Sequence, residues 1–338
     1  MGASVTKKQK IQKRINSFLA RRPHRSFRKT KRRDYKRSLK LPGYWAFSIY
    51  VAKMLKKHGK IFALLGLIYA VLTALLVGLG SQDTYSLMSD LIASESGWLG
   101  DTATEVTRVG TLFFTSITGG FSGAITESQQ IYAVLMGLLA WLTTVWLLRN
   151  LMAKHKIKLR DGLYSAGAPI VATMILFLVL VVQLIPLALA FIGYSAATSS
   201  GLLTNGIEAM LFWIGASLLG ILSLYWAVST AFALVIVTLP GMYPFRALSV
   251  AGDIVVGRRL RMIMRMLWLG LQLILLWALV LIPIILLDGW IKQIWSGIEW
   301  LPIVPVATLV LSSYSTIIAA SYVYLLYRKV VEDESAPA

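Results

Sequence analysis

Arg246 and the pair Arg258–Arg259 stand at either end of a short stretch that also holds Gly252, Asp253 and Gly257. A guanidinium is a planar fork of donors that meets a phosphate through parallel hydrogen bonds. That spacing suits contact with a lipid headgroup or another phosphate, and it equally suits plain membrane sidedness and interfacial anchoring. A second basic cluster, Lys31-Arg32-Arg33, lies in the amino-terminal arm. It suits an anionic leaflet, or a phosphate polymer such as RNA bound through counterion release. Gln183 and Gln272 interrupt otherwise apolar stretches. A glutamine at mid-helix bonds across helices for roughly 1 kcal/mol, so each is either packing glue or a polar point on a substrate path.

Other chemistry finds little to build on. The chain has no cysteine and three histidines, His24, His58 and His155. A thiolate metal site or a cysteine nucleophile is excluded. The G-x-S-x-G, Walker and G-x-G-x-x-G signatures are missing. Carboxylate pairs such as Asp83/Asp90 and Glu95/Asp101 could hold a cation, but an acidic solvated loop explains them as well. We expect no catalytic set, no metal and no cofactor, and hence a protein that is not an enzyme.

The elements that carry these residues follow from composition. Of 338 residues, 57% are apolar and only 14% charged, against roughly 25% charged in an average soluble domain. Six stretches reach the roughly 20 apolar residues that cross a bilayer: Ile61–Gly80, Ile131–Leu148, Ala168–Ile192, Ala209–Leu239, Met266–Leu287 and Leu301–Tyr327. None contains an ionisable side chain. Lipid offers the backbone no hydrogen bonds, so each must be helical. Uncharged spans also argue against ion-coupled pumps, proton relays and voltage sensors; anything moved through this bundle would be apolar or lipid-like.

Sidedness is read from the basic residues. The formal charge of +19 resides in residues 1–60, which hold 20 Lys/Arg and one acid. The loops after the second span (Arg149 to Asp161) and after the fourth (Arg246 to Arg265) are each +4, whereas 81–128 and 288–300 are acidic. Both termini and all three basic segments are therefore expected in the cytoplasm. Trp290, Trp295 and Trp300 at one boundary, and Tyr322, Tyr324 and Tyr327 at the other, are expected as interfacial anchors.

Residues 1–40 read as a disordered basic arm; nine Lys/Arg and one acid between Arg25 and Lys40 repel too strongly for a packed domain. Ile11, Ile15, Phe18 and Leu19 mark one face of a short helix that Pro23 would end. Residues 41–60 read as an interfacial amphipathic helix, and 328–338 as a short acidic tail. The external loop 81–128 is a small lid, its Gly119–Gly123 turn lying on the surface or dipping back. Met1-Gly2-Ala3-Ser4-Val5-Thr6 fits the myristoylation pattern, and the acid-poor start also resembles a mitochondrial presequence. Six spans make a single acyl chain redundant as an anchor.

An internal similarity runs through the basic loops. Leu163-Tyr164-Ser165-Ala166-Gly167 follows Arg160, and Leu248-Ser249-Val250-Ala251-Gly252 follows Arg246; both spans behind them end on Leu-Ile-Pro, at Pro186 and Pro283. With 41–57 ahead of the first span, the pattern is three hairpins, each entered by a short cytoplasmic helix. Parallel repeats of this kind occur in transporters.

The run Leu239-Pro240-Gly241-Met242-Tyr243-Pro244-Phe245-Arg246-Ala247-Leu248-Ser249, followed by Asp253-Ile254-Val255-Val256-Gly257-Arg258-Arg259, resembles the inner-loop signature of a broad group of uncharacterised six-helix bacterial membrane proteins. That group includes the membrane domain attached to some glycerophosphodiester phosphodiesterases. The chain is also similar, over most of its length, to proteins of reduced-genome candidate-phylum bacteria, including Lys158–Pro169 and Ser321–Val331. The resemblance implies a bacterial plasma-membrane protein. It carries no phosphodiesterase activity, because the soluble barrel with its metal-binding acids and histidines has no counterpart here.

The expected fold is all-α integral membrane: six transmembrane helices in three hairpins with cytoplasmic amphipathic helices. The expected function is a non-enzymatic protein of the inner leaflet that binds anionic phospholipids, in envelope organisation or biogenesis. Alternatives are a permease-like subunit for an apolar or lipid-like substrate, and a tether for RNA or the ribosome through the arm. A membrane-protein partner or a homo-oligomer is compatible with each.

Overall fold

The structure, a computed structural model, describes residues 41–77, 127–199, 206–295, 297 and 301–335. The arm with Lys31, Arg32 and Arg33, nearly all of loop 81–128 expected to be external, Trp300 and the last three residues lie outside this set. Among the described residues every long element is a helix: α1 Tyr44–Lys57, α2 Gly59–Val77, α3 Glu127–Met152, α4 Leu159–Ser165, α5 Ile170–Ser199, α6 Gly206–Ile236, α7 Pro244–Val255, α8 Arg259–Ile294 and α9 Ile303–Ser335. Six of them, α2, α3, α5, α6, α8 and α9, are long and apolar enough to cross a membrane. The chain is an all-α, multi-pass membrane protein.

Sequential spans pack as pairs, α2 on α3, α5 on α6 and α8 on α9, which gives the three hairpins. The last helix holds them together, since α9 also packs on α1, α2, α3 and α6. Its serines and threonines let it do so. Thr308, Ser312, Ser313, Ser315, Thr316 and Ser321 each donate to a carbonyl three or four residues back on α9 itself. Their hydroxyls are thereby satisfied inside the helix, and the short side chains allow neighbours to approach. The Ser315 oxygen also accepts from Trp277 Nε1 at 2.7 Å, tying α8 to α9.

Three expectations change. Pro186 and Pro283 do not end their spans; both lie inside longer helices, α5 and α8. Proline disturbs the preceding turn, and membrane helices tolerate this when a neighbour's hydroxyl re-satisfies the backbone. In α5 the amide of Leu187, next to Pro186, donates to Ser223 Oγ on α6 at 3.0 Å. Tyr322 and Tyr324 are buried, at 1% and 7% exposure, because α9 is central and both rings face other helices rather than a surface. Finally, Arg258 and Arg265 do not sit in an open loop. Arg258 stands at the residue just before α8, Arg265 lies inside it, and both are buried.

The acidic tail also continues α9 in helical form as far as Ser335. Arg328 and Lys329 reach Glu332 at 2.8 Å each, the i, i+3/i+4 spacing that lets helical neighbours meet.

Candidate functional site

One end of the bundle gathers the basic residues. It holds α1, α4, α7, the turns next to them and the last turns of α3 and α9. The sequence at each short helix is amphipathic, and the buried face docks it. In α7, Ala247, Ala251 and Val255 recur every fourth residue and are buried against α6 and α5. In α4, Gly162 lies so close to α3 that an added Cβ would meet Leu147 Cδ2 at 3.0 Å. In α1, Phe47 and Val51 are buried, and Phe47 packs edge-on to Tyr322 of α9, ring centroids 4.9 Å apart. The repeat Leu-x-x-Ala-Gly gains a physical meaning here: its alanines, Ala166 and Ala251, are both buried contact points. Gly257, between α7 and α8, and Gly241, between α6 and α7, take φ of +77° and +72°, where a side chain would be strained.

The outward faces share a composition. Trp45 and Ile49 of α1 are exposed, followed on the same side by Lys53 and Lys57. Tyr164 of α4 is 83% exposed, one turn from exposed Arg160. Tyr243 and Phe245, at the start of α7, are each 74% exposed beside exposed Arg246. All three short helices present a large ring together with a base.

The arginines singled out in the sequence do not converge. Arg246 is at the start of α7 and exposed, whereas Arg258 lies beyond the far end of that twelve-residue helix. The helix alone puts roughly 18 Å between them. Arg258 is buried, and Arg259 lies over the Tyr225 ring of α6, 4.0 Å from its centroid. Of the three, Arg246 faces outward without restraint from the described residues. Gln183 accepts a 2.6 Å hydrogen bond from Thr230 of α6, so it joins the α5–α6 hairpin. Gln272 lies on α8, which is not among the main neighbours of α5. The two glutamines thus do not form one site.

Two arrangements at the basic end were not anticipated. The first surrounds Arg265. Its Nη2 donates to the Pro42 carbonyl ahead of α1, and its guanidinium lies 4.7 Å from the Tyr44 ring centroid and 5.4 Å from that of Phe47. Trp268, one turn on, donates to Ser48 Oγ at 3.1 Å and meets Trp45 edge-on. Nη1 of Arg265 and the Tyr322 hydroxyl are buried close to each other but short of hydrogen-bond geometry. Ring faces and one carbonyl thus replace a carboxylate as the surroundings of this cation, and the arrangement moors α1 to the bundle.

The second is a cleft of about 270 Å³ between α3, the end of α6 and α9, lined by Arg149, Val235, Thr238, Leu239, Tyr324, Tyr327, Arg328, Val331 and Glu332. Arg149 Nη1 donates to the Thr238 carbonyl at 2.8 Å, which fixes the guanidinium and satisfies a carbonyl just past α6. The Tyr324 hydroxyl is near both Arg149 and Arg328. A smaller cleft of about 140 Å³ adjoins on the other side of Arg149, lined also by Trp146, Ser165, Pro169 and Pro240. In the sequence Arg149 and Arg328 look like ordinary charges at span ends, 179 positions apart. No spacing rule links them; the packing of α9 on α3 does.

Compared with family models, curated proteins and solved structures, the chain matches none.

Proposed function

We propose that this is a non-enzymatic membrane protein of the bacterial plasma membrane whose basic end faces the cytoplasm and binds anionic phospholipid headgroups of the inner leaflet, in a role of envelope organisation or biogenesis. The observation that carries the reading is the shared outward face of α1, α4 and α7. An exposed ring beside a base is the composition that settles at headgroup level, the ring in the interface and the cation against phosphate. Three such faces at one end supply several contacts to a single leaflet. Each base near an anionic surface adds about 1 kcal/mol, and the Lys/Arg-rich arm adds to the same field.

The test is lipid preference of the full chain in nanodiscs holding mixed anionic and zwitterionic lipids. Anionic lipid should be enriched in the shell retained on mild detergent extraction, as read by mass spectrometry. Replacing Arg160, Arg246 and Lys53 together by Gln should reduce that enrichment severalfold. Equal retention of both lipid classes by the unaltered protein would overturn the reading. Labelling of tags at each terminus in intact and opened cells checks the sidedness.

A further inference from the structure

We infer that the cleft between Arg149 and Arg328 is a discrete binding site for the phosphate of an anionic headgroup. This rests on the headgroup-binding reading above and goes further by naming one site.

Three features of the cleft lead there. The first is preorganisation. Arg149 is held by the Thr238 carbonyl through Nη1, and Arg328 is paired through its Nε with Glu332, while other N–H groups remain to be offered. Tyr324, buried and near both guanidiniums, adds a hydroxyl that either donates or accepts. The second is charge. Glu332 is shared between Arg328 and Lys329, so the cations around the cleft outnumber its one carboxylate and favour a phosphate anion there. The third is size and lining. At about 270 Å³ the cleft is smaller than the roughly 300–1,000 Å³ of pockets that enclose whole drug-sized ligands. It takes a headgroup, not a lipid. Val235, Leu239 and Val331 form the apolar part of its wall, against which the carbons next to the phosphate would lie.

The same chemistry is offered by a phosphatidylglycerol-type lipid and by a water-soluble glycerol phosphodiester, and the experiment separates them. The full chain in neutral detergent is titrated with short-chain phosphatidylglycerol, glycerophosphoglycerol, short-chain phosphatidic acid and inorganic phosphate. The readouts are calorimetry and the fluorescence of Trp146, which lines the adjoining cleft. The expected result is saturable one-to-one binding of at least one of these anions, weaker by about tenfold or more in Arg328→Gln and in Arg149→Gln. Retention of affinity by glycerophosphoglycerol assigns the soluble diester; its loss assigns the lipid. Arg149→Gln also loosens the turn after α6. Arg328→Gln loses its ion pair to Glu332 and leaves the turn after α6 intact, so it carries the test if the first variant fails to fold. Failure of all four to bind saturably overturns the site. An unchanged affinity in Arg328→Gln overturns the site, even where Arg160, Arg246 and Lys53 still govern lipid enrichment; absence of any anionic preference overturns the broader reading instead.

Discussion

The fifth and ninth helices make an instructive pair. α5 carries the most apolar window of the six spans and α9 the least, yet 6% of the α5 window is buried against 50% of the α9 window. In a soluble protein the order would be reversed, because burial there follows apolarity. Lipid tails are as apolar as leucine, so apolar surface gains little by leaving them for protein, and helices associate through close packing and hydrogen bonds. α9 has what that requires: alternating small, hydroxyl and aromatic residues from Ser312 to Tyr324. α5 has leucine and valine on nearly every side, with Gln183 and the amide next to Pro186 as its bonded points to α6.

The contrast is tested hardest where a fully buried ring of α8 meets α9. Trp277 is fully buried between α8 and α9 and is bonded to Ser315. Trp277→Ala removes both the ring and the bond and should destabilise the protein by about 3–5 kcal/mol. Reversible unfolding in mixed micelles measures it; a loss below 1 kcal/mol would mean that α8 and α9 are not joined there.

A smaller effect is expected at Gly66 on α2. A Cβ there would lie 2.7 Å from two ring atoms of Tyr314, whose hydroxyl is pinned to the Ala63 carbonyl at 2.8 Å. Gly66→Ala must therefore displace a ring that is held at its tip, at a cost of about 1–3 kcal/mol. Tyr314→Ala should remove most of that penalty, and the double-mutant cycle reports the coupling. Additive effects would show that the ring does not press on α2.

These positions mark where sequence reasoning stopped. The six spans, the helix near residues 44–57 and the short helices after Arg160 and Arg246 were legible, because backbone hydrogen bonding in lipid leaves long uncharged runs one conformation. Which span sits at the centre was not. The hydroxyls of α9 and the bareness of Gly66 matter only once their neighbours are known. The basic loops could be assigned to one end of the bundle from the sequence, but not the placement of their side chains. Arg246 is outward-facing. Arg258 and Arg265, which look equivalent to it in the sequence, turn inward because α8 begins at Arg259 and carries Arg265 onto its buried face. The Arg149–Arg328 cleft depends on a contact between the second span and the sixth, and local patterns carry no information about that.

The smallest effect is expected on the outer face of α5. Leu189 is 56% exposed, on a helix whose described neighbours cover little of it. Leu189→Ala should change stability by less than about 0.5 kcal/mol, because lipid fills the space that the side chain leaves and no cavity forms. The same substitution distinguishes the solitary bundle from an assembled one. If α5 were covered by a second copy of the chain, truncating Leu189 would open a gap between proteins, and the penalty would grow with protein concentration in the membrane. Unfolding measured at two protein-to-lipid ratios separates the cases. A small, ratio-independent value keeps α5 as the lipid-facing counterpart of α9, and a larger, ratio-dependent one makes its bareness an interface.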